Sequence, residues 1–481
     1  MDPANDIPNP TGLNRLSLIA LVWRLISAIK QLWKEVTTLR AENEELKRKT
    51  ARQAAPFSKN KRKKNPKRPG RKPGQGPFRN RTAPSEAQYS GPIEDVPVDE
   101  STCPECGGDL AGDEQEVVTN TEIPPQPTPE VKAYRIHIRS CCRCKRKVRG
   151  RHPDVAPDQY GATAHRIGPR AQAAAATLHY GEGIPQRKVP GVLKLLTGLE
   201  VTQSAITQSF LRAGTGAGSV AQRYRQLRIE IQLQEAINTD DTGWRINGYL
   251  ANLMAFDSRM IAVYQIRLQH RNEEVREVIG DNFEGTLGAD RGKSYDAKQL
   301  LDVKQQKCIS HILRSIDEVL ETKRGQARFF GETLKSLLKE AVDLYHAFHD
   351  PERKLPDYAR RVRAIEAELS SHLEERQLKD ADNQRLLNEL SRHHERGNLL
   401  RFLHEPTTIE PTNNAAERAL RPAVIARKVS HCSKNAKGAE AFSAFKSVIQ
   451  TIKKQGGNVL ETLADLIRPS PPPKLETQTL N

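Results

Sequence analysis

A multidomain α/β protein is what this sequence predicts, and three observations carry that reading. At 481 residues the chain has room for about three domains of ~150 residues each, with ample length for a buried core. Apolar spacing is helical over residues 153–230, turns to short strand-like runs from Ala236, and returns to long helical stretches. Five of the seven cysteines crowd between Cys103 and Cys144, which suits metal binding in a reducing compartment better than a disulfide scaffold. Lys and Arg total 76 against 59 Asp and Glu, and the net charge of +17 points to a polyanionic partner, nucleic acid or an anionic membrane. No uninterrupted apolar run nears the ~20 residues that span a bilayer. No small-residue cleavage site follows the longest such run, residues 18–23, so neither secretion nor membrane insertion is expected and the chain reads as cytoplasmic.

Residues 1–49 read as a coiled-coil dimerisation helix. Leucine recurs every seventh position at Leu18, Leu25, Leu32, Leu39 and Leu46, with Val22, Ile29, Val36 and Asn43 three places before the last four. Leu at d, β-branched residues at a and one buried Asn favour a parallel two-stranded coiled coil, hence a homodimer or higher assembly. A single amphipathic helix docked on its own domain is the other reading. Residues 50–98 form a basic linker. No acidic residue occurs from Thr50 to Ser85, while Lys61, Arg62, Lys63, Lys64, Arg68 and Arg71 alternate with Pro and Gly. Such a segment is expected to be unfolded when free and to lie along DNA phosphates when bound, unless it is only a solvated spacer.

Residues 99–152 carry Cys103-x-x-Cys106 and Cys141-x-x-Cys144, separated by 34 residues. Four thiolates in two knuckles can surround one structural Zn²⁺ and leave no open position, the pattern of a zinc ribbon. A strand is expected over 131–138, and Cys142 is surplus. Residues 153–230 are helical in pattern, with helices at 171–178, 189–196 and 203–211. The last two flank a Thr197-Gly198 turn, which fits a DNA-binding helix-turn-helix or an ordinary helical bundle. Strands are expected at 236–240, 249–256, 260–266, 285–289 and 307–310, within an α/β region at 231–315. A helical insertion follows at 316–405, with helices at 329–349 and 358–403. The α/β region resumes at 406–468 with helices at 414–428 and 439–453, and a Pro-rich tail at 469–481 reads as unfolded.

Asp240 is expected to end the first strand of this region and Asp290 the fourth, while Glu417 lies on the helix after the insertion. Two carboxylates at adjacent strand ends and one on a packed helix can hold two Mg²⁺ or Mn²⁺ ions about 4 Å apart. Such a pair suits in-line phosphoryl transfer, and hard oxygen ligands suit these ions better than zinc. Each carboxylate also has a plain reading: turn residues for the two aspartates, and for Glu417 a capping box with Asn414.

Several segments resemble the insertion-sequence 66 family of bacterial DDE transposases. Thr239-Asp240-Asp241-Thr242-Gly243-Trp244-Arg245 is similar to the family's D-E-T-G-W-R signature. Asp290-Arg291-Gly292 with Tyr295 is similar to its D-G-Y-x-x-Y element, and residues 308–314 resemble its C-x-x-H-x-x-R segment. Pro411-Thr412-Asn413-Asn414-Ala415-Ala416-Glu417-Arg418-Ala419-Leu420-Arg421-Pro422 is the clearest match, with Arg427-Lys428 following at the family's distance. The zipper, the basic segment and the Cys-Pro-x-Cys element occur in the family's order. This copy departs from the pattern at Asp241, at Arg291-Gly292 and in lacking the usual Trp near His311; no triad carboxylate is lost.

The resemblance implies an RNase H-like catalytic core interrupted by the helical insertion, with Asp240, Asp290 and Glu417 as ligands of two Mg²⁺ ions. It implies an enzyme that binds double-stranded DNA at element ends, hydrolyses the backbone there and joins the 3′-hydroxyls to target DNA near the bacterial nucleoid, with accessory proteins of the element where needed. Physical logic assigns Arg418, Arg421, Arg427 and Lys428 to phosphates, Asn413 to DNA or to steadying Glu417, and Trp244 to the core. His311 stands either near the metals or in the core. A catalytically decayed transposase, or a regulator built on the zipper and zinc modules, is the runner-up; a nonspecific nuclease comes third.

Overall fold

The computed structural model describes residues 14–51, 84–112, 115–121, 127–156, 158–352, 354–430 and 432–469. The cations assigned to DNA at Lys61, Arg62, Lys63, Lys64, Arg68 and Arg71, and nearly all of the Pro-rich tail, lie outside the described residues. The chain divides into two units, Lys59–Thr128 and the combination of Met1–Ser58 with Pro129–Asn481.

The larger unit begins with α1 (Arg15–Ala51). Its Val22, Leu25, Ile29, Leu32, Val36 and Leu39 side chains are all exposed, so the heptad stripe is unburied within one chain. By length and composition the stretch Arg15–Arg40 is apolar enough to cross a membrane, although no uninterrupted run suggested it. Arg24 and Lys30 fall inside that stretch, and charges at bilayer depth are costly. Next come a short hairpin, β1 (Ile138–Ser140) with β2 (Lys147–Arg149), and the helices α2 (Pro169–Ala176), α3 (Val189–Thr197), α4 (Gln203–Gly214) and α5 (Ser219–Glu230). Only the end of the strand expected at 131–138 forms, because pairing with Lys147–Arg149 begins at Ile138. Gly198, left-handed at φ 68°, ends α3, and the Thr202 hydroxyl caps α4 by accepting from the Ala205 N–H.

A five-stranded sheet follows, with strands β3 (Ala236–Ile246), β4 (Tyr249–Asp257), β5 (Ala262–Arg267), β6 (Thr286–Ala289) and β7 (Lys304–Lys307) and α6 (Asn272–Ile279) between β5 and β6. Their order is β5-β4-β3-β6-β7; β3, β4 and β5 are antiparallel, whereas β6 and β7 run parallel to β3. Asn247 and Gly248 both have positive φ, 51° and 82°, as a two-residue type I′ hairpin between β3 and β4 requires. That tight turn draws Arg245 and Ile246 into pairs with Leu250 and Tyr249. Asp240 therefore sits in the middle of β3, not at its end. The fifth strand also differs from expectation: it closes at Lys307, and residues 309–310 open a helix instead.

Beyond β7 come α7 (Ile309–Leu320), α8 (Gln326–Phe348), α9 (Tyr358–His372), α10 (Ala381–Glu395) and the short α11 (Arg401–His404). Ile309, Ile312 and Ile316 recur at helical spacing and join Leu334, Leu338, Leu369 and Leu387 in a hydrophobic core of their own. The single helical run expected over 358–403 is broken twice. Asp380 caps α10 by accepting from the Asp382 and Asn383 N–H groups, and Gly397 turns left-handed after it. The chain then returns to the sheet with α12 (Asn414–Ser430), α13 (Ala436–Lys454) and α14 (Val459–Ile467). These helices share a second core with the sheet and α2 to α5, in which Tyr180 stacks on Phe445 and Phe210 packs at a tilt against both.

Candidate active site and cysteine knuckles

Strand register brings the predicted carboxylates together. Asn238 on β3 faces Gly288 on β6 in a parallel pair, and two residues further along come Asp240, on β3, and Asp290, the first residue beyond β6. A Cβ on residue 288 would lie 2.3 Å from Asn238 Oδ1, so a larger residue there would displace the Asn238 side chain, while the Asn238 Cα at 3.7 Å leaves room. Across β4 and β5, Asp240 is in line with Ala255 and Tyr264, whose side chains share its face of the sheet. The Tyr264 hydroxyl donates to the Ala419 carbonyl of α12 at 2.9 Å. That contact lays the first turns of α12, and with them Glu417, over the face that bears Asp240.

The aspartates are held by local hydrogen bonds. Asp240 Oδ1 accepts from the Asp241 N–H at 2.9 Å, and Asp290 Oδ1 accepts from the Gly292 N–H at 2.8 Å. Burial, and then the neighbouring carboxylates of Asp241, Asp290 and Glu417, push the Asp240 carboxyl up to about 7. Four carboxylates, those of Asp240, Asp241, Asp290 and Glu417, are thus gathered in one place. Among the described residues no three His, Cys, Asp or Glu side chains converge tightly enough to grip a metal ion.

Side chains that sequence reasoning left unassigned or undecided surround these carboxylates. His270 Nδ1 lies 3.1 Å from Asp241 Oδ1, and its ring packs edge-on to Tyr295. Burial pushes the His270 imidazole down, but the Asp241 carboxylate outweighs it and holds the ring above its ordinary range. Lys307 is fully buried; its ammonium donates to Asp296 Oδ1 at 2.7 Å and to the Asp290 carbonyl at 3.4 Å, fixing the segment that follows Asp290. His311 stands beside the site, its Nε2 3.7 Å from Glu417 Oε1. The Cys308 thiol, with Glu417 adding, raises its pKa despite burial. No sequence pattern flags His270 or Lys307, since each partner lies in another element.

Asn413 is 1% exposed and donates its amide to the Thr239 carbonyl at 2.6 Å. It steadies the start of the Glu417 helix from inside the protein, so the expected DNA contact does not fit its burial. Trp244 is core as expected: it is buried, packs on Phe442 and donates its indole N–H to Ser433 Oγ at 3.1 Å. Arg418 and Arg421 are exposed. Arg427 instead bonds the Thr242 hydroxyl at 3.1 Å and the Gly243 carbonyl, and Lys428 is half-buried beside it.

A family description for Transposase IS66 family matches residues 165–441, more than half of the chain and all of the site just described. The chain belongs to the IS66 transposase family. Membership makes it a nucleic-acid-acting enzyme whose partner is DNA, and implies use of divalent metal. No curated protein matches the chain significantly.

The two cysteine knuckles of this IS66 member are built alike. In the smaller unit the Cys103 N–H donates to the Gly108 carbonyl and the Gly107 N–H returns to the Cys103 carbonyl, each at 2.8 Å. In the larger unit Cys141 pairs with Arg146 at 2.8 Å and Lys145 returns to Cys141 at 2.9 Å. The fifth residue of each turn is left-handed, Gly107 at φ 73° and Lys145 at φ 59°. Backbone N–H groups of Glu105 and Cys106 lower the Cys103 thiol pKa, and those of Cys144 and Arg143 lower that of Cys141. Both are thus biased toward the thiolate that binds metal.

Proposed function

We propose that this chain is a DDE transposase that binds the ends of its element, cleaves the DNA backbone there and transfers the resulting 3′-hydroxyls to target DNA. The observation that carries this reading is that Asp240 and Asp290 each follow the same β3–β6 strand pair by two residues, beside the helix bearing Glu417. A mixed five-stranded sheet, with a helical segment between its fifth strand and that helix, supports an RNase H-like core.

The donor set suits two Mg²⁺ or Mn²⁺ ions, because the carboxylates are hard oxygen ligands gathered at a largely buried position. Asp240, Asp290 and Glu417 would hold them. When bound, such ions supply charge neutralisation at the scissile phosphate and lower the pKa of an attacking hydroxyl. The protein's own groups orient this set: Asn413 anchors the helix of Glu417, Lys307 anchors the loop after Asp290, and His311 borders the Glu417 carboxylate. Arg418 and Arg421 face solvent about one turn from Glu417, where they would meet phosphates; at the far end of the helix Arg427, with one nitrogen committed to Thr242 and Gly243, would add its remaining N–H groups beside Lys428.

Upstream, the basic segment from Lys61 to Arg71 would hold DNA nonspecifically, and exposed Gln203, Ser204 and Gln208 on α4 would give the helical region its reading face. Cys103, Cys106, Cys141 and Cys144 would bind one structural Zn²⁺, and α1 would pair two copies in a coiled coil. Accessory proteins of the element complete the assembly where it needs them, on nucleoid DNA in the cytoplasm. Replacing Asp240, Asp290 or Glu417 with Ala should abolish cleavage and joining while leaving end binding nearly intact, since the carboxylates do not hold the DNA. Cleavage by the triple-alanine variant at a rate near wild type would refute the assignment. A wild-type chain that binds ends and never cuts, with Mn²⁺ and accessory proteins present, would be a decayed transposase.

A further inference from the structure

A cleft of about 600 Å³ opens between the segment just after Asp290 and helix α10 of the insertion. Arg291 and Lys293 line it on one side; Arg385, Asn388, Glu389 and Arg392 line it on the other. The residues on α10 recur at spacings of three, four and seven, so they form one face of that helix. The opposite face, with Leu386, Leu387 and Leu390, is buried in the insertion's own core, which holds the polar face in place.

Glu389 is paired with Arg291 at 2.9 Å, and Asp296 with the buried Lys307 at 2.7 Å. Arg385 shares Asp382 with Lys323, which also holds Asp380. Lys293 and Arg392 are exposed, and the two carboxylates that line the cleft, Glu389 and Asp296, are the ones already paired. The surplus is therefore positive, on a rigid wall, in a cleft whose lining starts one residue from Asp290.

We infer that this cleft holds the sugar–phosphate backbone of DNA beside the strand that is cut, with Lys293 and Arg392 on phosphates and the Asn388 amide between them. The inference rests on the transposase reading and extends it by giving the helical insertion a DNA-contacting face. Arg385, whose ion pair with Asp382 is solvent-exposed and weak, can turn to a third phosphate. The Arg291–Glu389 pair ties the insertion to the loop after Asp290, so DNA seated here would be aligned with the carboxylates.

The test uses the full-length chain and a labelled element-end duplex without divalent metal, so that nothing is cut during the measurement. Benzoylphenylalanine placed at position 388 should crosslink to the DNA on irradiation, at nucleotides near the cleavage position. Lys293→Glu with Arg392→Glu should weaken end binding on the order of ten-fold and lower the salt slope of log K by about 1.8, the counterions of two phosphate contacts. Absence of any crosslink from position 388, or an unchanged salt slope in a folded double variant, would overturn the inference. Restoring Mg²⁺ separates the two readings. Crosslinking without cutting leaves the cleft standing and removes the catalytic assignment; cutting with no crosslink does the reverse.

Discussion

The side-chain amide of Asn413 donates to the main-chain carbonyl of Thr239 at 2.6 Å, joining the turn before the Glu417 helix to the residue before Asp240. Two carboxylates 177 positions apart in sequence are thus tied to one another by a buried hydrogen bond. The Asn413 N–H also donates to Cys308 Sγ at 3.2 Å, and the Glu417 N–H returns to the Asn413 carbonyl at 3.2 Å. Asn413→Ala would remove the amide and leave the buried Thr239 carbonyl short of a partner, at a cost of about 1–3 kcal/mol. Thermal unfolding should show that loss. Strand cleavage should fall much further than the stability change explains, with end binding nearly unaltered. Wild-type cleavage in this variant would mean that the bond does not position the carboxylates.

The matched geometry of the two cysteine turns makes a metal prediction. Purified full-length chain should contain about one zinc per chain, and Cys106→Ser with Cys144→Ser together should release it. Cys142→Ser should change nothing, because Cys142 lies inside the second knuckle without completing it. Zinc retained by the double variant would remove the ribbon assignment.

For α1, the exposed stripe of Val22, Leu25, Ile29, Leu32, Val36 and Leu39 has the period of a coiled-coil seam. Changing Leu25 and Leu32 to Glu puts charge into that seam and should convert a dimer to a monomer in sedimentation. The same experiment addresses the apolarity of Arg15–Arg40: a wild-type chain that stays with vesicles, and does not dimerise without them, would favour a membrane over a second copy.

Local chemistry was the legible part of this protein. The Asn247-Gly248 turn, the core position of Trp244 and the helix bearing Glu417 all follow from signals within a few residues. Strand ends were less legible, since β3 extends past Asp240 only because β4 folds back onto it. The breaks in the insertion had readable signals, the Asp380 cap and Gly397, which a continuous apolar pattern obscured. His270 beside Asp241, Lys307 beneath Asp290, and the charge surplus around α10 left no local trace. Each depends on side chains brought together from separate elements.

Lys446 carries the last prediction. It is 2% exposed on α13, and its ammonium donates to the Tyr180 carbonyl at 3.0 Å. Burial, with the Lys453 charge adding and Glu182 opposing, pushes its pKa down from 10.5 to about 8. A folded-state pKa below the unfolded value means that the unfolded chain binds the proton more readily. Stability is therefore greatest above pH 10.5 and is lost as pH falls toward 8, by about 3 kcal/mol at 1.36 kcal/mol per unit. Lys446→Met removes the titrating group while keeping most of the side-chain volume. It also leaves the Tyr180 carbonyl without its donor, which offsets part of any gain at neutral pH. The difference between the two proteins isolates the lysine from every other group that titrates in this range. Denaturant unfolding from pH 7 to pH 10 should show wild type gaining stability relative to the variant, with the difference flat below about pH 7. Parallel pH profiles would mean that Lys446 keeps an ordinary pKa in the folded protein, through water or a movement of α13 that relieves its burial.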